Sequence, residues 1–362
     1  VASEQRVREN APATRRTARD GAVRHYRILI VAPSWIGDTI IAQPLFMRLK
    51  ERDPSCEIDA LAQPWVAPVL RAMPQIADVV ESPLRHGRFD FGLRRQLART
   101  LAAGRYDEAI VLPNSWKSAL MPFMARIPLR TGFIGESRYL LLNRLHRLDT
   151  ARLPRQVDRY AMLAQPPGET LRQPLPEPRL ARDPAREAAT LAALDLAGAR
   201  EPIVFCPGAE YGPAKRWPTA YYAELARALA DRGHAIWLLG SAKDAAVADE
   251  IVVASAGTAI SLCGRTSLAQ ALDLIGAATL VVTNDSGLMH VAAALGRPLV
   301  ALYGSSSPDY TPPLSDKAAI IWRKPDCSPC FKRECPLGHF RCMNELTPES
   351  VLETVTRKLA DA

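Results

Sequence analysis

Short apolar runs alternate with helix-spaced apolar faces along this chain, twice over, and that alternation leaves few folds open. Arg27–Ala32 is an almost wholly apolar run, as a strand buried on both faces requires. Pro33-Ser34-Trp35-Ile36-Gly37-Asp38 breaks it, and Ile41, Leu45 and Leu49 then recur every four residues as one helix face. Pro44 lies inside that pattern and predicts a kink. Further strands are expected at Glu57–Leu61, Asp78–Glu81 and Glu108–Leu112, with helical stretches between them, notably Leu93–Ala103. Strands that alternate with helices predict a parallel sheet covered on both faces.

Residues 165–187 interrupt the pattern with six prolines, which suit neither a helix nor a central strand. The alternation then restarts with strands at Pro202–Cys206, Ala235–Leu239, Ala259–Cys263, Thr279–Thr283 and Leu299–Tyr303. A helix is expected over Thr219–Arg232, closed by Gly233. From Thr347 onward Val351, Val355 and Leu359 share one helix face. The chain of 362 residues therefore divides into a disordered basic tail (1–26), an N-terminal domain (27–165), a semi-rigid Pro-rich linker (166–200), a C-terminal domain (201–346) and a closing helix (347–362). The expected fold is α/β: two Rossmann-like, doubly wound domains facing each other across a cleft. Ligands of such sheets bind outside the carboxyl ends of the strands, so the loops after Ala32, Leu112, Cys206, Leu239, Thr283 and Tyr303 are where chemistry is expected.

The formal charge is +8, and half of it sits in the first 27 residues, where seven arginines face Glu4, Glu9 and Asp20. A mild basic excess favours anionic partners such as phosphates, nucleotides or an acidic membrane surface. The tail has no apolar stretch behind its charges, unlike a secretory signal. No apolar run approaches the roughly 18 residues that span a bilayer.

Three loops carry the candidate site. After the first strand come Ser34, Gly37 and Asp38. Gly37 permits close approach of another backbone, and a carboxylate at a helix start is held ionised and can take a proton from a hydroxyl. On position alone Asp38 is as much a helix cap as a base. After Cys206, Pro207-Gly-Ala-Glu-Tyr-Gly-Pro-Ala-Lys215 offers backbone N–H groups and a cation to a phosphate. After Thr283, Asn284-Asp-Ser-Gly-Leu-Met-His290 runs into a helix, so Ser286, Gly287 and Leu288 present N–H groups at its start, with Asp285 free for sugar hydroxyls. The sequence contains neither G-x-G-x-x-G nor G-x-x-x-x-G-K-[ST], which disfavours a dinucleotide oxidoreductase and a P-loop phosphotransferase.

Pro33-Ser-Trp-Ile-Gly-Asp38, Leu112-Pro-Asn-Ser-Trp-Lys-Ser118, Arg130-Thr-Gly132, Cys206-Pro-Gly-Ala-Glu210, Gly212-Pro-Ala-Lys-Arg-Trp-Pro218, Gly240-Ser-Ala-Lys-Asp244, Thr283-Asn-Asp-Ser-Gly-Leu-Met-His-Val-Ala-Ala-Ala-Leu295 and Ser306-Ser-Pro-Asp-Tyr-Thr-Pro-Pro-Leu314 together resemble the ADP-heptose:lipopolysaccharide heptosyltransferases, most closely their heptosyltransferase II branch. The match runs in order from about Arg27 to Leu314. The resemblance implies the GT-B fold and transfer of L-glycero-D-manno-heptose from ADP-heptose to the first heptose of the lipopolysaccharide inner core (heptosyl-Kdo2-lipid A), with inversion and no cofactor for the chemistry. It implies that Asp38 is the general base, that Lys215 steadies the diphosphate, that Asp244 meets the ribose, that Asp285 holds the heptose, and that Ser286, Gly287 and Leu288 form the backbone cradle. Glu210 and His290 fall with the donor. Ser34, Gly37, Asn114, Lys117 and Arg130 fall on the acceptor side, where Arg94 and Arg95 are further candidate contacts for a phosphorylated lipid. The implied partners are ADP-heptose and a lipid-linked acceptor at the cytoplasmic face of the inner membrane, not nucleic acid. A cytoplasmic enzyme that touches the membrane peripherally is expected. Two other readings stay open: a nucleotide-sugar epimerase or hydrolase of the same fold, and a non-catalytic nucleotide-sugar sensor.

Cys56, Cys206 and Cys263 lie at or within strands and read as inert core residues. Cys327-x2-Cys330-x4-Cys335-x6-Cys342, with His339 nearby, suggests a structural zinc site ahead of free thiols, and free thiols ahead of disulfides.

Overall fold

The computed structural model describes residues 16–17, 23–84 and 90–361. The first sheet holds β1 (Arg27–Val31), β2 (Glu57–Ala62), β3 (Asp78–Glu81), β4 (Glu108–Val111), β5 (Leu129–Phe133) and β6 (Arg144–His146), in the spatial order β3-β2-β1-β4-β5-β6. The second holds β7 (Ile203–Cys206), β8 (Ile236–Leu238), β9 (Ala259–Ser261), β10 (Leu280–Asn284), β11 (Leu299–Tyr303) and β12 (Ala318–Trp322), in the order β9-β8-β7-β10-β11-β12. Every pairing in both sheets is parallel, so one topology occurs twice. The most apolar runs take the middle of each sheet. Ile28 and Leu29 of β1 lie opposite Ile58 and Ala109 of its two neighbours, and Val204 of β7 lies opposite Trp237 and Val281. Strand order reverses between β1 and β4 and again between β7 and β10, which puts a crevice at each point.

Three strands add to those the sequence predicts. β5 and β6 (Leu-Arg-Thr-Gly-Phe and Arg-Leu-His) carry too few apolar residues to stand out, and β12 is an edge strand open on one side. Pro44 does not kink one helix. It starts a second: Ile36–Ile41 ends at Ala42 and Gln43–Arg52 begins with the proline in its first turn, where no backbone donor is needed. The proline-rich stretch also departs from expectation, because residues 184–193 form the helix Pro184–Ala193 with Asp183 accepting from Arg186 N at 3.1 Å. Pro184 is tolerated there for the same reason. That helix is pinned to the second domain by Arg186 and Thr190, both 2.8 Å from Asp273. Of the tail expected to be disordered, Arg16–Thr17 pairs antiparallel with Val23–Arg24, and residues 1–15 and 18–22 lie outside the described residues. The closing helix spans Pro348–Ala360, capped by Thr347, with Val351 and Val355 buried in the core of the second domain.

The domains touch directly. Helix Ile36–Ile41, at the end of β1, packs against helix Gly287–Ala294, at the end of β10. A Cβ on Gly37 would lie 2.8 Å from His290 Cδ2, and one on Gly287 would lie 3.0 Å from Ile36 Cβ, so both glycines permit the approach. The linker is tied to both sides. Arg179 exchanges two backbone bonds with the buried Gln43 side chain (2.6 and 2.8 Å), Ala181 N donates to Ala72 O (2.8 Å), and Leu180 N donates across to Ala294 O (2.9 Å).

Candidate active site

Trp35 is the N-cap residue of helix Ile36–Ile41 and its side chain makes no capping bond. Asp38 is the third residue of that helix, so its carboxyl is not the cap. It is hydrogen-bonded by the Tyr160 hydroxyl and lies in the field of the Lys215 ammonium from the other domain. Burial pushes its pKa up to about 6, with the hydroxyl and the ammonium pulling it partly back. Tyr160, on the buried face of helix Gln156–Met162, is itself hydrogen-bonded by Gln156. Gln156 reaches the second domain: Tyr310 OH donates to its Oε1 at 2.6 Å and its own N–H donates to Tyr310 O at 3.1 Å. Arg159 Nη1 also donates to Tyr310 OH at 3.1 Å. No local spacing in the sequence links Asp38 to Tyr160, Gln156 or Tyr310, and of the three only Tyr310 falls in a stretch that resembles the family, Ser306–Leu314.

Across the cleft, Lys215 closes the short turn Pro213–Lys215 after β7 and sits 2.5 Å from Asp285 Oδ2. Ser306 Oγ donates to the same oxygen. Ser286 caps helix Gly287–Ala294 by accepting from Met289 N, and Gly287 in its first turn lies against Ile36 and Gly37 at the start of helix Ile36–Ile41. His290 is buried, and desolvation holds its imidazole down to about 4, with Asp285 opposing and Lys215 assisting, so it is neutral near pH 7. Asn284 fastens the loops after β7 and β10 together. Its Oδ1 accepts from Trp217 N (3.2 Å) and Tyr222 OH (3.1 Å), and its Nδ2 donates to Pro207 O (2.7 Å).

The remaining expected residues divide. Asp244 sits at the carboxyl ends of β7 and β8, against Gly208 and Gly240, but its Oδ2 is engaged by Ser241 N (3.0 Å) and Ser241 Oγ (2.8 Å), and Arg216 lies 3.6 Å from Oδ1. Glu210 is exposed and paired with Lys243. Ser34 is exposed near Asp38, and its carbonyl accepts from Trp65 Nε1 at 2.9 Å. Asn114 follows β4 on the cleft side, with its Oδ1 held by the buried Arg138 at 2.6 Å, and Lys117 is exposed beside the Trp116 ring. Arg130 lies elsewhere. It is at the amino end of β5, opposite to the cleft, and its guanidinium donates to Leu141 O and Ile127 O, both at 2.6 Å. Arg94 is buried under helix Trp116–Met124, against Met121, whereas Arg95 is exposed.

Cys56, Cys206 and Cys263 are buried free thiols, each pushed up by burial. Cys327, Cys330, Cys335 and Cys342 are also free and line one cavity together with His339. Among the described residues, no three His, Cys, Asp or Glu side chains are grouped so as to hold a metal ion as they stand.

A half-buried carboxyl with raised basicity, in the field of a cation across a two-domain cleft, can deprotonate an incoming hydroxyl while the cation takes up charge on a departing group. Comparison with known proteins agrees with a transferase. Residues 94–341 match glycosyltransferase family 9 (heptosyltransferase). The chain is 46% identical over 342 residues to lipopolysaccharide heptosyltransferase 2 of Escherichia coli, covering 92% of this chain and 98% of that protein. It is also 46% identical to lipooligosaccharide heptosyltransferase 2 of Haemophilus influenzae, over 92% and 99% of the two chains. The solved structure of E. coli ADP-heptose LPS heptosyltransferase II superposes with a TM-score of 0.83 at 44% identity, over 92% of this chain and 99% of that one. The two sheets with their facing cleft are thus the GT-B fold, and the chain belongs to glycosyltransferase family 9, the heptosyltransferases.

Proposed function

We propose that this glycosyltransferase moves L-glycero-D-manno-heptose from ADP-heptose to the first heptose of the lipopolysaccharide inner core, with inversion at the anomeric carbon and Asp38 as general base. The observation that carries the reading is that the half-buried Asp38 carboxyl of one domain lies in the field of the Lys215 ammonium of the other. Inversion needs the acceptor hydroxyl to attack from the side opposite the departing ADP, and the base must therefore come from the acceptor side. Asp38 takes the hydroxyl proton as the new C–O bond forms. The bond from the anomeric carbon to the diphosphate breaks, and the charge left on the diphosphate falls to Lys215 and to the N–H groups at the start of helix Gly287–Ala294. Donor binding then exchanges the Lys215–Asp285 ion pair for a Lys215–phosphate contact and frees Asp285 to accept from heptose hydroxyls. Asn114 and Lys117, at the carboxyl end of β4, line the acceptor approach.

The lipid of the acceptor puts the reaction at a membrane surface, which the enzyme meets peripherally. Among the described residues no helix is long and apolar enough to cross a membrane. The test uses ADP-heptose with two acceptors, Kdo2-lipid A with and without its first heptose, and follows ADP release and product mass. The expected result is ADP release with the heptosylated acceptor only. Release with the unheptosylated acceptor alone, or at the same rate with neither, would overturn the assignment.

A further inference from the structure

Residues 323–340, between β12 and the short helix Arg341–Asn344, contain no helix or strand. A stretch of that length inside a compact domain needs something to hold it. Its apolar residues do not, since Phe331 and Leu337 face solvent. Yet the segment is fastened to the loop that carries Lys215. Tyr211 OH donates to Phe331 O at 2.8 Å, and Ala214 N donates to Arg333 O at 3.0 Å. The Tyr211 ring has the Arg333 guanidinium 5.3 Å from its centre and the Lys215 ammonium 5.2 Å from it.

At the centre of the segment, Cys327, Cys330, Cys335 and Cys342 converge on one cavity that Ala214 of the donor loop also lines. Gly338 makes the turn after Cys335 at a φ of +69°, with its N–H donating to Cys335 O at 3.1 Å. His339 Nδ1 already accepts from Arg341 N at 3.0 Å, which points to the four sulfurs as the ligand set.

We propose that Cys327, Cys330, Cys335 and Cys342 bind one zinc-class divalent ion as four thiolates, and that this centre braces the loop bearing Lys215. The four cysteines line the cavity, and among the described residues no three are grouped to hold an ion as they stand. Binding draws them inward as each thiol gives its proton to solvent, with no change of oxidation state, a movement open to a segment without helix or strand. Soft sulfur ligands in a set of four select a tetrahedral ion. The brace rests on the donor-site reading of Lys215, whereas the metal site does not.

The test starts with the full chain purified from zinc-supplemented cells. Metal is counted by plasma mass spectrometry and by organomercurial release into a colorimetric chelator. The expected result is about one zinc per chain, lost in Cys335→Ser and retained in Cys56→Ser, with a lowered melting temperature after stripping that added zinc chloride restores. Iron at the same stoichiometry, lost in the same variant, supports the four-thiolate site with a different occupant. Metal below about a tenth of an equivalent, or a content that Cys335→Ser leaves unchanged, overturns the site. ADP binding decides the brace separately: stripping should weaken it several-fold, and unchanged ADP affinity in stripped protein refutes the brace while leaving the site standing.

Discussion

Replacing Gly37 with alanine tests how the two domains meet. The new Cβ would lie 2.8 Å from His290 Cδ2, well inside the roughly 3.5–4.0 Å at which carbon atoms pack. His290 is only 5% exposed, so its ring has no solvent to swing into and the two helices must separate. Overpacking of that kind costs about 1–3 kcal/mol. Alanine also gains up to about 1 kcal/mol of helix propensity over glycine, but that gain acts whether the domains are together or apart. The cost falls on their contact alone, because Gly37 and His290 belong to different domains. Catalysis that needs the closed cleft should therefore lose roughly 5–150-fold in kcat/KM, while the melting temperature stays level or rises slightly. Steady-state kinetics beside a thermal melt decide it. A variant within twofold of wild type in kcat/KM would show that the contact between these two helices is not part of the productive state.

The pH dependence follows from Asp38, which must be ionised to act as a base. With its pKa raised to about 6, kcat/KM should fall about tenfold per pH unit below that value and level off above it. The same shift means the folded state holds this proton more tightly than the unfolded chain does, so Asp38 subtracts stability as pH rises from about 4 to 6. Tyr160→Phe removes a bond that lowers the pKa, so the acid limb should move to higher pH, and a limb that stays in place would contradict the Tyr160–Asp38 contact. Lys215→Ala removes a charge-assisted contact and should weaken ADP binding about 10- to 100-fold by calorimetry; unchanged affinity would take Lys215 off the diphosphate. Asn284→Ala strands the Tyr222 hydroxyl, the Trp217 N–H and the Pro207 carbonyl, at about 3 kcal/mol, and should lower the melting temperature by roughly 5–10 °C. An unshifted melt would mean those partners find water instead.

What the sequence made legible is what burial dictates locally. β1, β7 and β10 are apolar runs because both of their faces are covered, and the loops after them carry Asp38, Lys215 and Asp285 because parallel strands end at one rim. β5 and β6 stayed hidden because they sit toward an edge and mix polar residues into short runs. Arg130 shows a different limit. Its tripeptide resembles a family motif, but a motif does not say which end of a strand it occupies, and the amino end of β5 faces away from the cleft. Tyr160, and the contact made by Tyr310 within the family-like stretch Ser306–Leu314, were out of reach for a third reason. They meet Asp38 and Gln156 only through the packing of helix Gln156–Met162 against both domains, which leaves no periodicity or spacing to read.

The proposed mechanism turns on Asp38 removing the acceptor proton. Single-turnover transfer from pre-bound ADP-heptose to heptosylated Kdo2-lipid A, measured in wild type and Asp38→Asn alongside the ADP Kd of each, tests it directly. A base at Asp38 predicts a loss of about 10²–10⁴-fold in the transfer rate with ADP affinity nearly unchanged. A transfer rate in Asp38→Asn close to that of wild type would contradict it.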